Sequence, residues 1–201
     1  MKLVGGRTMK LGLFAAALAF AGNMALAETT MGDDGLHKAG WQHDTFKDLR
    51  EDLAEATAEG KRFAIMIEQR GCIYCTQMHE EVYIQPAIEE LLNDKFFIIQ
   101  INMFGDTEVT DFDGEVLTEK EAIQKWGVMF TPTILFFPEE VTQEAPAPRV
   151  AVASVPGAIG KSMFYNMLTW VLDHGYEGDE NFQKYHARIF NAGVGPGGHG
   201  G

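Results

Sequence analysis

Residues Phe63–Cys75, FAIMIEQRGCIYC, constrain this chain more than any other stretch. An apolar run, Phe63–Ile67, gives way to a short polar turn and then to Cys72 and Cys75, the only two cysteines present. The run reads as a buried strand and the cysteines as the start of a helix. A helix N-terminus offers unpaired N–H groups and the positive end of the dipole, so a thiolate at Cys72 is stabilised. Cys75 falls one turn further on the same face, within reach to close a disulfide. A dithiol placed this way can exchange electrons.

The N-terminus indicates where that chemistry takes place. Lys2, Arg7 and Lys10 precede the apolar run Leu11–Ala21, and Ala25-Leu26-Ala27 supplies a small-x-small cleavage pattern. Residues 1–27 are therefore expected to be a signal peptide, translated from Met1 or from Met9, and the mature chain to begin near Glu28 in the periplasm. The remainder carries 13 basic against 29 acidic side chains, a balance that disfavours nucleic acid and anionic membrane surfaces as partners. Export often makes a cysteine pair a structural bridge. A bridge across two residues closes so small a loop that it restricts the unfolded chain little, which favours a redox role over a structural or metal-binding one.

The rest of the chain supplies alternating helices and strands. Residues 28–40 read as a polar linker, and Asp44–Glu59 as an amphipathic helix capped by Asp44, with Phe46, Leu49 and Leu53 facing inward and Gly60 at its end. Arg62–Ile67 is the strand before the dithiol, Ile73–Val82 its helix, and Pro86 restarts a helix that leads to the strand Lys95–Asn102, KFFIIQIN. Met103–Leu117 is a polar insertion. Its Asp111-x-Asp113-Gly114 resembles a piece of a calcium loop without the remaining spacing, and reads as a turn. Thr118 and Glu121 form a capping box for a helix that ends at Gly127. In VMFTPTILFF a proline interrupts a strand-like run, which a cis Thr131–Pro132 bond before a strand from Thr133 resolves. Arg149–Ser154 is expected as a returning strand and Lys161–His174 as a helix burying Met163, Phe164, Met167, Leu168 and Val171. A short helix over Asn181–Phe190 and a glycine-rich tail over residues 191–201 complete the chain, which places one folded domain at residues 41–190.

This order, with Cys72-x-x-Cys75 after one strand and Thr131-Pro132 before another, resembles a thioredoxin fold: α/β, with a central mixed sheet flanked by helices. Glu68-Gln69-Arg70-Gly71-Cys72-Ile73-Tyr74-Cys75, followed by Met78-His79, is similar to exported thioredoxins of the SoxW type, as are Asp111-Phe112-Asp113-Gly114 and Gly127-Val128-x-x-Thr131-Pro132-Thr133. The resemblance implies Cys72 as the nucleophile and Cys75 as the resolving thiol. It implies Pro132 packed against the disulfide, and Thr131, Pro132 and Tyr74 as the substrate-binding residues. It further implies protein disulfides as substrates, among them those of a sulfur-oxidation carrier protein, and a membrane thiol transporter as electron donor to a monomeric reductant. Two departures bear on mechanism. Gly71 stands where thioredoxins carry tryptophan, and Met66 where they carry a buried aspartate, so Glu68 becomes the candidate proton relay.

No metal or organic cofactor is expected, since the electrons reside on sulfur, and the six histidines (His37, His43, His79, His174, His186, His199) show no metal-ligand spacing. His79 reads as a surface or helix-packing residue. The rival readings are an oxidant or isomerase of the same chemistry, and a copper-binding module that uses the cysteines with Met78 or His79.

Overall fold

The computed structural model describes residues 29–193, so the signal expected over residues 1–27 and most of the expected tail lie outside the described residues. The described chain opens with a hairpin, β1 (Thr30–Met31) antiparallel to β2 (His37–Lys38). The expected linker is thus corrected: Leu36 in this hairpin is only 2% exposed, and Arg70 donates to the Asp34 carbonyl at 3.3 Å. One apolar anchor in a polar stretch is enough to dock it.

After β3 (Gln42–His43) comes α1 (Leu49–Ala58), capped by Asp48, whose carboxylate accepts from the N–H groups of Arg50 and Glu51. Asp44 is therefore not the cap, and Phe46, outside the helix, is 96% exposed rather than inward-facing. β4 (Arg62–Glu68) is buried throughout and leads into α2 (Ile73–Gln77), which continues as a widened π-type turn over Met78–Val82. Pro86 opens α3 (Pro86–Lys95), followed by β5 (Phe96–Asn102). The insertion folds as a hairpin of β6 (Glu108–Thr110) and β7 (Val116–Thr118). α4 (Glu119–Trp126) has the expected capping box and ends at Gly127, whose φ of +68° favours glycine.

β8 (Thr133–Phe136) starts directly after the cis Thr131–Pro132 bond. The segment expected as a returning strand is instead a helical turn, α5 (Ala147–Val150), because Pro146 and Pro148 set φ for a first helical turn; the strand, β9 (Ala153–Pro156), comes later. α6 (Lys161–Leu172) buries Phe164, Met167, Leu168 and Val171 as expected, while Met163 lies at its exposed edge. α7 (Phe182–Asn191) closes the described chain.

The central sheet has the order β3-β5-β4-β8-β9, with β3, β5 and β4 mutually parallel and β8 and β9 antiparallel to their neighbours. Both faces are covered, which is why β4 and β5 read as continuous apolar runs. Phe63, Ile65 and Ile67 face Leu49 and Leu53 of α1 and Trp126 of α4; Ala64 and Met66 face Met78, Leu92 of α3 and Leu168 of α6. Each fully buried side chain of this size contributes about 1.5–3 kcal/mol. The two layers hold rigid the carboxyl end of β4, where the cysteines follow.

Candidate active site

The site begins at the turn out of β4. Gly71 has φ of +71°, a left-handed conformation that a tryptophan there would adopt only with strain, so the departure from thioredoxins at this position has a local cause. Cys72 is the N-cap of α2, and its Sγ accepts the Cys75 N–H at 3.0 Å. The two cysteines form a disulfide, with Cα atoms 5.2 Å apart. Cys72 is 6% and Cys75 1% exposed, so an attacking sulfur reaches Cys72 more readily.

Thr131, just before the cis-proline and the start of β8, completes the site. The Thr131 hydroxyl donates to Cys72 Sγ at 3.3 Å, and the Thr131 carbonyl oxygen stands 3.5 Å from the same sulfur. Ile73 and Tyr74 beside Cys72, and Met129 and Phe130 before Thr131, are all exposed. The sulfur pair is thus flanked by exposed apolar side chains.

Glu68 lies beneath this surface, fully buried at the end of β4, and is neither a solvated turn residue nor alone. Its Oε1 stands 3.0 Å from His79 Nε2, and its Oε2 accepts from Gln100 Nε2 at 2.6 Å. Gln100 also donates to the His37 carbonyl at 2.9 Å and accepts from Lys38 Nζ at 2.6 Å. The His37 and His79 rings stack with centroids 4.7 Å apart, and Trp41 and Tyr83 wall the cluster. Burial holds the His37 imidazole below its ordinary pKa, with the His79 ring adding to this and Glu68 and Glu80 opposing it. Burial and the Glu68 carboxylate both push the Tyr83 phenol well above its ordinary value. Sequence reasoning missed His37, Lys38 and Gln100. The available signal was Gln100 itself, a single polar residue inside KFFIIQIN.

The calcium-like fragment has a different occupant. Lys125 Nζ lies 2.9 Å from Asp111, 2.7 Å from Asp113 and 2.9 Å from Glu115. Burial lowers the Lys125 pKa, but the hydrogen bonds to these three carboxylates outweigh it and hold the ammonium above its ordinary range.

Residues 49–147 match the model of a family described as a thioredoxin-like domain. Among solved structures, a thioredoxin from Thermus thermophilus is similar at 22% identity and a TM-score of 0.49, covering 64% of this chain and 86% of its own. A thioredoxin-fold protein from Helicobacter pylori is similar at 16% identity and 0.45, covering 72% and 91%. The C-terminal domain of DsbD from Neisseria meningitidis, in the reduced form, is similar at 14% identity and 0.40, covering 60% and 91%. No curated protein matches the chain. The protein has the thioredoxin fold, with a mixed sheet flanked by helices. The matched residues, from the start of α1 to the start of α5, include both cysteines and the cis-proline.

Proposed function

We propose that this protein is an exported thiol-disulfide oxidoreductase that reduces protein disulfides. The observation that carries the reading is the Cys72–Cys75 disulfide at a helix N-terminus with Thr131, the residue before the cis-proline, against it. In the reduced protein the Cys72 thiolate attacks a substrate disulfide. One substrate sulfur leaves as a thiolate, which takes a proton from solvent, and a mixed disulfide forms with the other. Cys75 then loses its proton and attacks Cys72 Sγ, forming the intramolecular disulfide and releasing the second substrate thiol. Two electrons leave the protein dithiol and two enter the substrate. An extended substrate segment aligns along the Thr131 backbone, where main-chain bonds give affinity with little sequence preference, and Tyr74 offers an apolar contact.

Compartment and partner follow from sequence. The basic and apolar N-terminus with Ala25-Leu26-Ala27 supports export to the periplasm. The likeness of Glu68–Cys75 and Met78-His79 to the SoxW type supports a sulfur-oxidation carrier protein as substrate, with a membrane thiol transporter to recharge the dithiol. Among the described residues no helix is long and apolar enough to cross a membrane.

Equilibration with glutathione or dithiothreitol buffers tests the direction of electron flow. A reductant has a potential near about −270 mV, and a value near about −120 mV would make the protein a disulfide-forming oxidant instead.

A further inference from the structure

Three ligand-bearing side chains from distant parts of the chain meet below the redox helix: His37 on β2, Glu68 at the end of β4, and His79 in the turn that continues α2. Their ligand atoms all lie within 4.8 Å of one another. We propose that His37, Glu68 and His79 form a binding site for a first-row divalent cation of the Zn2+ type, independent of the redox reading.

The donor set supports this class of ion. Two imidazole nitrogens and one carboxylate oxygen suit zinc and its neighbours, whereas magnesium and calcium prefer oxygen alone. The spacing is already partly set. Ligand atoms about 2.0–2.2 Å from a tetrahedral zinc stand roughly 3.3–3.6 Å from each other, and Glu68 Oε1 and His79 Nε2 are 3.0 Å apart. A cation would take the place of the proton that now joins them.

An outer layer of contacts is also present. Gln100 holds the other Glu68 oxygen at 2.6 Å, and the Thr76 hydroxyl stands 3.3 Å from His37 Nε2. Such contacts orient metal ligands. His79 Nδ1 is buried and has no hydrogen-bond partner among the described residues, so the outer contacts are those to Glu68 and His37.

One movement is required. The two imidazoles stack at 15°, so their in-plane lone pairs run side by side rather than converge. His37 is the ring able to turn, being half-buried on a two-residue strand, whereas His79 is packed between Trp41 and Tyr83. A bound cation would tie the N-terminal hairpin to β4 and to the helix that carries the cysteines.

The test uses the full chain in its disulfide form, stripped with chelator, so that the sulfurs cannot bind metal. Titration with ZnCl2 by calorimetry and by equilibrium dialysis should show one equivalent per chain, and His37→Ala and Glu68→Gln should each weaken the affinity at least tenfold. Circular dichroism identifies a variant that fails to fold; if Glu68→Gln does so, His37→Ala decides, since its half-buried ring is not part of the core. No saturable binding to the oxidised chain would overturn the proposal, as would affinity unchanged in His37→Ala. Uptake only after the disulfide is reduced would assign the metal to the cysteines and overturn it equally, while leaving the thiol chemistry untouched.

Discussion

Thr131 donates its hydroxyl to Cys72 Sγ at 3.3 Å, although 59 residues separate the two in sequence. The same sulfur accepts the Cys75 N–H at 3.0 Å. Both donors favour the thiolate over the thiol once the bridge is reduced, because a hydrogen bond to the charged form lowers a pKa. Thr131→Val removes one of them and keeps the shape. A hydrogen bond of about 1 kcal/mol corresponds to roughly 0.7 pKa units, so the Cys72 pKa should rise by about that amount. The pH profile of iodoacetamide alkylation reads this directly. An unchanged profile would mean that the hydroxyl does not reach the thiolate.

The proposed order of attack, Cys72 before Cys75, is in keeping with the difference in their exposure. Cys75 is the more deeply buried, and Cys72 is the sulfur touched by Thr131. Cys75→Ser should therefore accumulate a stable mixed disulfide with a protein substrate, visible as a band that reductant removes. Cys72→Ser should accumulate little or none. Equal trapping by both variants would contradict the assignment.

The redox core was legible in sequence because its signals are local. FAIMIEQRGCIYC, KFFIIQIN, the Thr118–Glu121 capping box and the Thr131-Pro132 break each carry their structure within a few residues. The start of α1 was misplaced because Asp44 and Asp48 are equally good caps by type, and only packing chooses Asp48. The hairpin at residues 30–38 was missed because a single leucine, Leu36, anchors it, and one residue has no periodicity. The cluster of His37, Glu68 and His79 was illegible for a further reason. Sheet register and the docked hairpin bring these residues together, and neither follows from ligand spacing along the chain.

A buried acid on α1 gives the protein a pH dependence apart from its cysteines. Asp52 is 4% exposed, and burial pushes its carboxyl up to about 7; the hydrogen bond from Thr45 opposes this, and the nearby charges of Asp48, Glu55 and Glu51 add to it. The unfolded chain loses this proton near pH 3.8. Between those values the folded state binds more protons, so stability should fall as pH rises from about 4 to about 7 and then level off. Asp52→Asn lacks that slope and should be more stable than the parent at pH 8, by on the order of 1–2 kcal/mol. Urea midpoints at pH 5 and pH 8 for both proteins test it. Parallel shifts in the two would sink the idea.

Asp111 shows what the calcium-like fragment does in this fold. Its carboxylate is fully buried and accepts from the Trp126 indole N–H at 2.8 Å, the Ala147 N–H at 2.9 Å and the Phe112 N–H at 2.8 Å, while Lys125 lies 2.9 Å away. One side chain thus joins the β6–β7 hairpin to α4 and to the start of α5. Asp111→Ala would leave the indole and the Ala147 amide without partners in a dry environment, and removing one member of such a network costs about 3–5 kcal/mol. Asp113 is part-exposed and, among the described residues, bonds to Lys125 and within its own turn, so Asp113→Ala should cost no more than about 1 kcal/mol. Chemical denaturation of the oxidised chain measures both. Because the Lys125 ammonium already occupies the space between Asp111, Asp113 and Glu115, added Ca2+ should leave the parent midpoint unmoved. Equal losses in the two variants would mean that Asp111 does not clasp the fold, and a midpoint raised by Ca2+ would mean that the fragment binds a cation.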